Sequence, residues 1–245
     1  MLIEACLNGA RHPGAHPRLP ITPTDLARDA EACANFGAGA IHVHPRDEAG
    51  HESLAVPHVG ATVAAIRSRC DLPIGVTTVA RVLPDPRQRY AVVRSWAELT
   101  DDARPDFASV NVGEPGWEQI VAALLDIGIR VELGISEPED PAELAASGLA
   151  ARCERFLVAP QVLDPDAAIR SADALLAALE ALTTREPPLA HGWDTAAWPV
   201  LEWALDRGLD SRIGLEDTLE LPDGNLTPDN AALLAAAFAF LMEPH

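Results

Sequence analysis

Strand-length and helix-length segments alternate eight times along this chain, and that alternation limits its possible folds more than any single motif does. Extended runs are expected near residues 2–6, 40–46, 73–78, 107–111, 130–133, 155–158, 188–191 and 211–215. Helical segments follow each of them, the first from an N-cap at Thr22 or Thr24 with Asp25 in its first turn to about residue 36. The others are expected near 59–69, 86–98, 117–127, 138–147, 164–182, 196–207 and 228–242. Strands that alternate with helices form a parallel sheet, and eight of them select the closed (β/α)₈ TIM barrel over an open doubly wound sheet. No G-x-G-x-x-G follows the first strand, which weakens a dinucleotide-binding reading.

At 245 residues and 48% hydrophobic content the chain can bury one barrel-sized core, and no low-complexity linker divides it, so a single domain over 1–245 is expected. The first strand carries no basic leader, and no apolar run reaches membrane-spanning length, so a cytoplasmic protein is expected. A net charge of −19 argues against nucleic acid and against an anionic membrane surface as partners. All 18 basic residues are arginine. Without lysine the chain can form neither a Schiff base nor a pyridoxal phosphate linkage, so carbon–carbon bond chemistry here needs a metal. Cys6, Cys33, Cys70 and Cys153 form no C-x-x-C pair and read as buried thiols.

In the run Ala40-Ile41-His42-Val43-His44-Pro45-Arg46, residues two apart on a strand share a face, so His42 and His44 can share one divalent ion. The alternative is a pair of hydrogen-bonded histidines at a strand end. Barrel enzymes place their sites at the C-terminal ends of the strands. The polar residues expected at those ends include Asn8, Arg11, His42, His44, Arg46, Thr77, Asn111, Glu132, His191, Glu216 and Asp217. Glu216, at the end of the eighth strand, can complete two imidazoles with a carboxylate and leave a position open for substrate. It can equally be a cap or a loop carboxylate. If the chain stays extended, Asp217 points away from Glu216, free to pair with Arg212 or to act as a base.

Five motifs in order, Asn8-Gly9-Ala10, Leu19-Pro20-Ile21-Thr22-Pro23, His42-Val43-His44-Pro45-Arg46-Asp47, Ser109-Val110-Asn111-Val112-Gly113 and Arg212-Ile213-Gly214-Leu215-Glu216-Asp217, resemble the β-keto acid cleavage enzymes over nearly the whole chain. The resemblance implies a zinc-dependent barrel that converts a β-keto acid and acetyl-CoA into acetoacetate and a new acyl-CoA. It puts the metal on His42, His44 and Glu216, and the catalytic aspartate and its arginine on Asp217 and Arg212. Thr77 falls where the family has a substrate-contacting serine. Asn111 and Glu132 match the polar residues of strands four and five, and Asn8, Arg11 and Arg46 complete the expected substrate-binding set. A homo-oligomer is expected, with no stretch that specifies its symmetry.

Two loops depart from the family. Val79-Ala80 replaces a glycine pair after strand three, and Ala159-Pro160-Gln161-Val162 replaces a glycine-rich loop after strand six. Arg11 stands where the founding activity has an acid for the substrate amine. A guanidinium there disfavours an ammonium and favours a second carboxylate or a polar neutral group, unless it turns to solvent or pairs with a loop acid. The rival readings are a metal-dependent aldolase or hydrolase that uses no CoA, and a noncatalytic binding barrel.

Overall fold

A computed structural model describes residues 1–242, so the last three residues of the expected domain lie outside it. Eight parallel strands close into a barrel in sequence order: β1 (Ile3–Cys6), β2 (Ala40–Val43), β3 (Ile74–Thr77), β4 (Phe107–Asn111), β5 (Arg130–Ile135), β6 (Arg155–Val158), β7 (Leu189–Ala190) and β8 (Asp210–Ile213). The helices are α1 (Pro23–Asn35), α2 (Val56–Arg67), α3 (Pro86–Ser95), α4 (Trp117–Asp126), α5 (Asp140–Ser147), α6 (Pro165–Leu179), α7 (Ala197–Asp206) and α8 (Asn230–Met242). Helix starts follow local chemistry. Thr22 and Asp25 form a reciprocal capping box ahead of Pro23, and Asp85 and Asp164 cap α3 and α6. None of the described helices is long and apolar enough to cross a membrane. All four cysteines are buried and free.

Period-two alternation divides every strand between two faces. Ile41 lies opposite Ile74, Ala108 opposite Val131 and Leu133 opposite Phe156, and these belong to the apolar core shared with the helices. The alternate set, Glu4 opposite Arg212, Thr77 opposite Ser109 and Glu132 opposite Arg155, fills the barrel interior. A Cβ at Gly75 would sit 2.1 Å from the Phe107 ring, so glycine there gives that ring its place inside the barrel.

β2 stops at Val43, three residues short of expectation, so that His44 lies just past the strand, β3 and β7 each stop one residue short, and two further ends bear on the site. β5 runs on to Ile135, two residues past its expected end. β8 stops at Ile213 rather than near residue 215, because the chain turns at Gly214, whose carbonyl accepts from the amides of both Asp217 and Thr218. α2 begins at Val56, earlier than expected, with Pro57 in its first turn.

Candidate metal centre and its cavity

The site lies on the seam where β8 meets β1 and β1 meets β2. Asn8, just past β1, clamps the backbone of His44: its side-chain amide donates to the His44 carbonyl, and its oxygen accepts from the His44 amide, both at 2.9 Å. Gly9 holds φ at +50°, and a Cβ there would lie 2.2 Å from Cγ of Glu216. Glycine at this position therefore permits the turn and leaves room for the carboxylate.

His42 Nε2 is 3.9 Å from Glu216 Oε2, and His44 Nε2 is 3.6 Å from Glu216 Oε1. One donor atom from each of the three residues lies within 4.8 Å of the others. Bonds of about 2.0–2.2 Å to one ion would draw these atoms together. Glu216 Oε2 and His42 Nδ1 are buried and have no hydrogen-bond partner among the described residues. Glu216 Oε2 thus offers an unused lone pair where a cation would use it.

The charges suit that role. Burial drives the His42 pKa down to about 3, so the imidazole stays neutral and keeps one nitrogen lone pair free. Burial pushes Glu216 up, but Arg212, His44 and His42 outweigh it and hold the carboxylate ionised, well below the usual range. At His44 burial lowers the pKa, and Glu216 and Glu52 together more than reverse it. Carboxylates that attract a proton to this ring also attract a metal cation.

Arg212 Nη2 reaches Glu216 Oε1 at 2.8 Å and Asp217 Oδ1 at 2.7 Å. Asp217 therefore lies beside Glu216 on the same guanidinium, because the turn at Gly214 replaces the extended chain that would have opposed them. His191 Nδ1 sits 3.3 Å from Asp217 Oδ1, and the Trp193 ring packs on both His191 and Arg212, at 4.8 and 5.5 Å. Asp217 is fully buried, and its Oδ2 has no hydrogen bond among the described residues.

His42, His44, His191, Arg212 and Glu216 open onto a cavity of about 640 Å³, whose wall also includes Thr77 and Asn111; Asp217 is not on that wall and reaches it only through Arg212 and His191. Arg11 stands on that wall too, but its guanidinium is ion-paired with Asp194 and donates from Nε to the Leu215 carbonyl at 3.2 Å. Asp194, itself at φ +44°, donates its amide to the Asp217 carbonyl at 2.6 Å. The pair ties the loops after β1, β7 and β8 together at the rim.

Three expected substrate contacts are corrected by position. Asn8 holds His44 and is absent from the cavity wall. Arg46 is buried and spends its guanidinium on the carbonyls of Gly9, Arg11 and Gly50 at 2.7–2.8 Å. Glu132 lies below the cavity, 3.2 Å from Arg155, because β5 continues past it; the acid that β5 delivers to the cavity wall is Glu137. Two residues given no role by sequence now have neighbours that suggest one. His191, at the end of β7, meets Asp217. Glu52, in the loop after β2, lies 2.5 Å from His44 Nδ1.

Comparison with known proteins agrees with this geometry. Residues 1–243 match the family model for beta-keto acid cleavage enzyme. A 3-keto-5-aminohexanoate cleavage enzyme from Fusobacterium nucleatum is 24% identical, over 96% of this chain and 88% of its own. A 3,5-dioxohexanoate:acetyl-CoA acetone transferase from Paraburkholderia graminis is 30% identical over 115 residues, 46% of this chain and only 35% of that relative's length. Solved structures share the fold at low identity. N-acetylmannosamine-6-phosphate 2-epimerase from Clostridium perfringens aligns with a TM-score of 0.55 at 16% identity, over 89% of this chain and 86% of the other. Dihydropteroate synthase from Yersinia pestis aligns with a TM-score of 0.56 at 14% identity, over 98% and 93%. With the family match covering nearly every residue, and the fold and histidine–carboxylate cluster in place, the chain belongs to the β-keto acid cleavage enzyme family.

Proposed function

We propose that this barrel condenses a β-keto acid with acetyl-CoA to give acetoacetate and a new acyl-CoA, using a zinc-like ion held by His42, His44 and Glu216. The observation that carries the reading is the convergence of those three side chains on the cavity, with the Arg212–Asp217 pair packed directly against Glu216. The acetyl-CoA named in one relative's activity supports the choice of acyl donor.

When bound, the ion would withdraw charge from the ketone and carboxylate oxygens of the substrate and acidify the carbon between them. Asp217 takes that proton at its unbonded Oδ2, while Arg212 orients the carboxylate through Oδ1. His191 holds Asp217 from the other side, and full burial keeps bulk water from returning a proton. The substrate carbanion attacks the acetyl carbon, the thioester C–S bond breaks, and the CoA thiolate leaves. That thiolate adds to the original ketone carbon, whose bond to the central carbon then breaks. Acyl-CoA and acetoacetate result, and Asp217 returns its proton to acetoacetate. Thr77 and Asn111, both on the wall, serve as donors to the transient alkoxides. Because Asp194 already neutralises Arg11, a polar neutral group at the far end of the substrate fits the rim better than a second carboxylate.

The test incubates purified protein with acetyl-CoA and a panel of β-keto acids and follows acetoacetate and acyl-CoA by mass spectrometry. Product formation that requires acetyl-CoA and stops with a chelator is expected. Cleavage at the same rate without acetyl-CoA would favour the CoA-independent aldolase or hydrolase, a reading to which the altered loops at Val79 and Ala159 on the cavity wall are relevant.

A further inference from the structure

We propose that Glu52 and Arg81 form a positioning relay that fixes the tautomer and tilt of His44 and thereby sets how tightly the ion is held. The inference rests on the reading that His42, His44 and Glu216 bind that ion. His44 turns Nε2 toward Glu216 and Nδ1 toward Glu52, whose Oε1 is 2.5 Å away. A neutral imidazole that donates from Nδ1 to a carboxylate keeps its lone pair on Nε2, the nitrogen aimed at the ion site.

Glu52 is itself held from two directions. Arg81 Nη2 donates to Oε1 at 2.7 Å, and Nη1 contacts Oε2, so the carboxylate is gripped by both arms of one guanidinium. Below it the loop folds back in a hairpin: Asp47 donates its amide to the His51 carbonyl at 2.8 Å, Ser53 donates to Pro45 at 2.8 Å, and Arg46 anchors Gly50. His42 has nothing comparable, since its Nδ1 is buried without a partner among the described residues. The two histidines are therefore unequal, and His44 is the one the protein orients. Arg81 comes from the loop after β3, where the sequence departs from its family, and it lines the cavity with 44% of its side chain exposed. The relay thus joins the substrate-facing wall to a metal ligand.

The experiment measures zinc affinity of the full chain by competition with a chromophoric chelator, and reads the His44 ring nitrogens by ¹⁵N-correlated NMR of the zinc-loaded protein. Glu52→Ala is expected to weaken zinc about 10- to 100-fold, the range for lost partners of metal-bound histidines, and to mix the His44 tautomers. Glu52→Gln keeps an acceptor without the charge and should fall between wild type and Glu52→Ala. Arg81→Ala leaves the carboxylate in place but unclamped and should cost less than Glu52→Ala. Circular dichroism on each variant separates a local effect from unfolding, and the conservative Gln variant carries the test if Ala does not fold. Wild-type affinity and a single wild-type tautomer in Glu52→Ala would overturn the relay. If wild type binds no ion, or His44→Ala binds as tightly as wild type, the metal reading has failed and the relay falls with it.

Discussion

Glu216 and Glu4 are both buried inside the barrel, near the same arginine, yet their proton affinities are pushed in opposite directions. Glu216 touches Arg212 at 2.8 Å and faces two imidazoles, and it stays ionised well below the usual carboxylate range. Glu4 is paired in register with Arg212 across β1 and β8, but the hydrogen bond it accepts is a 3.6 Å contact from the Cys6 thiol. Burial outweighs the distant arginines and raises it to about 7. Arg212 directs its guanidinium upward to Glu216 and Asp217 and away from its register partner. Depth alone does not decide charge in this barrel, and neither does one guanidinium: Glu132 lies 3.2 Å from Arg155 yet burial raises it well above the usual range, whereas Glu216 has Arg212 and two imidazoles beside it and keeps its charge.

The largest effect should come from removing the imidazoles on the upper side. His42→Ala with His44→Ala is expected to abolish bound metal and turnover while circular dichroism stays that of the folded barrel, because β2 and its neighbours are set by apolar packing that the double variant leaves intact. Unchanged metal content by elemental analysis would remove the upper half of the contrast. Next in size is Asp217→Asn, which keeps the shape and removes the base. Its kcat should fall about 10²- to 10⁴-fold with metal retained, and wild-type turnover would mean that Arg212 orients something other than a base.

Glu4→Gln sharpens the lower half. The folded protein holds the Glu4 proton up to about pH 7, whereas the ordinary carboxyl value is 4.5, so the native state binds more protons in that window and loses stability as pH rises through it. The variant should match wild type near pH 4 and exceed it at pH 8 by at most about 3 kcal/mol in chemical denaturation, the equivalent of the shift in Glu4. A variant less stable than wild type at pH 8 would show that Glu4 is ionised and usefully paired. The smallest effect is expected at the rim. Arg11→Glu should move the substrate preference toward an aminated β-keto acid by about fivefold in kcat/KM, the scale of one partly exposed ion pair. No change would leave Arg11 as a loop tie to Asp194.

Sequence periodicity carried the barrel, because outward-facing Ile, Val and Leu on most strands mark one side against largely polar residues on the other. It expected Glu132 at the cavity end of its strand, whereas the structure sets that side chain against Arg155 and off the cavity wall. What it lacked was depth: two further residues of β5 separate a side chain at the cavity from one beneath it, and alternation does not register where pairing stops. His42 and His44 were legible because their partnership is local to one strand. Glu216 and Asp217 were legible as residues but not as neighbours, since the turn at Gly214 depends on contacts with β1. Arg46 looked substrate-facing because the loop carbonyls it satisfies come from Gly9, Arg11 and Gly50, two of them far away in the chain. Glu52 carried no spacing signal, for its approach to His44 is made by a fold-back stapled through those same contacts.

The seam that joins the first two strands to the last also orders events in time. A ribosome delivers Asn8, Gly9, His42 and His44 early, yet with roughly 170 residues between His44 and Glu216, and synthesis at about 5–20 residues per second, the two imidazoles wait on the order of ten seconds or more for their carboxylate. Through that interval the nascent chain has two donors and no Arg212 or Asp217 beside them. An ion captured then would be held by a fragment that can do no chemistry, and tight loading becomes possible only as the last strand closes the barrel.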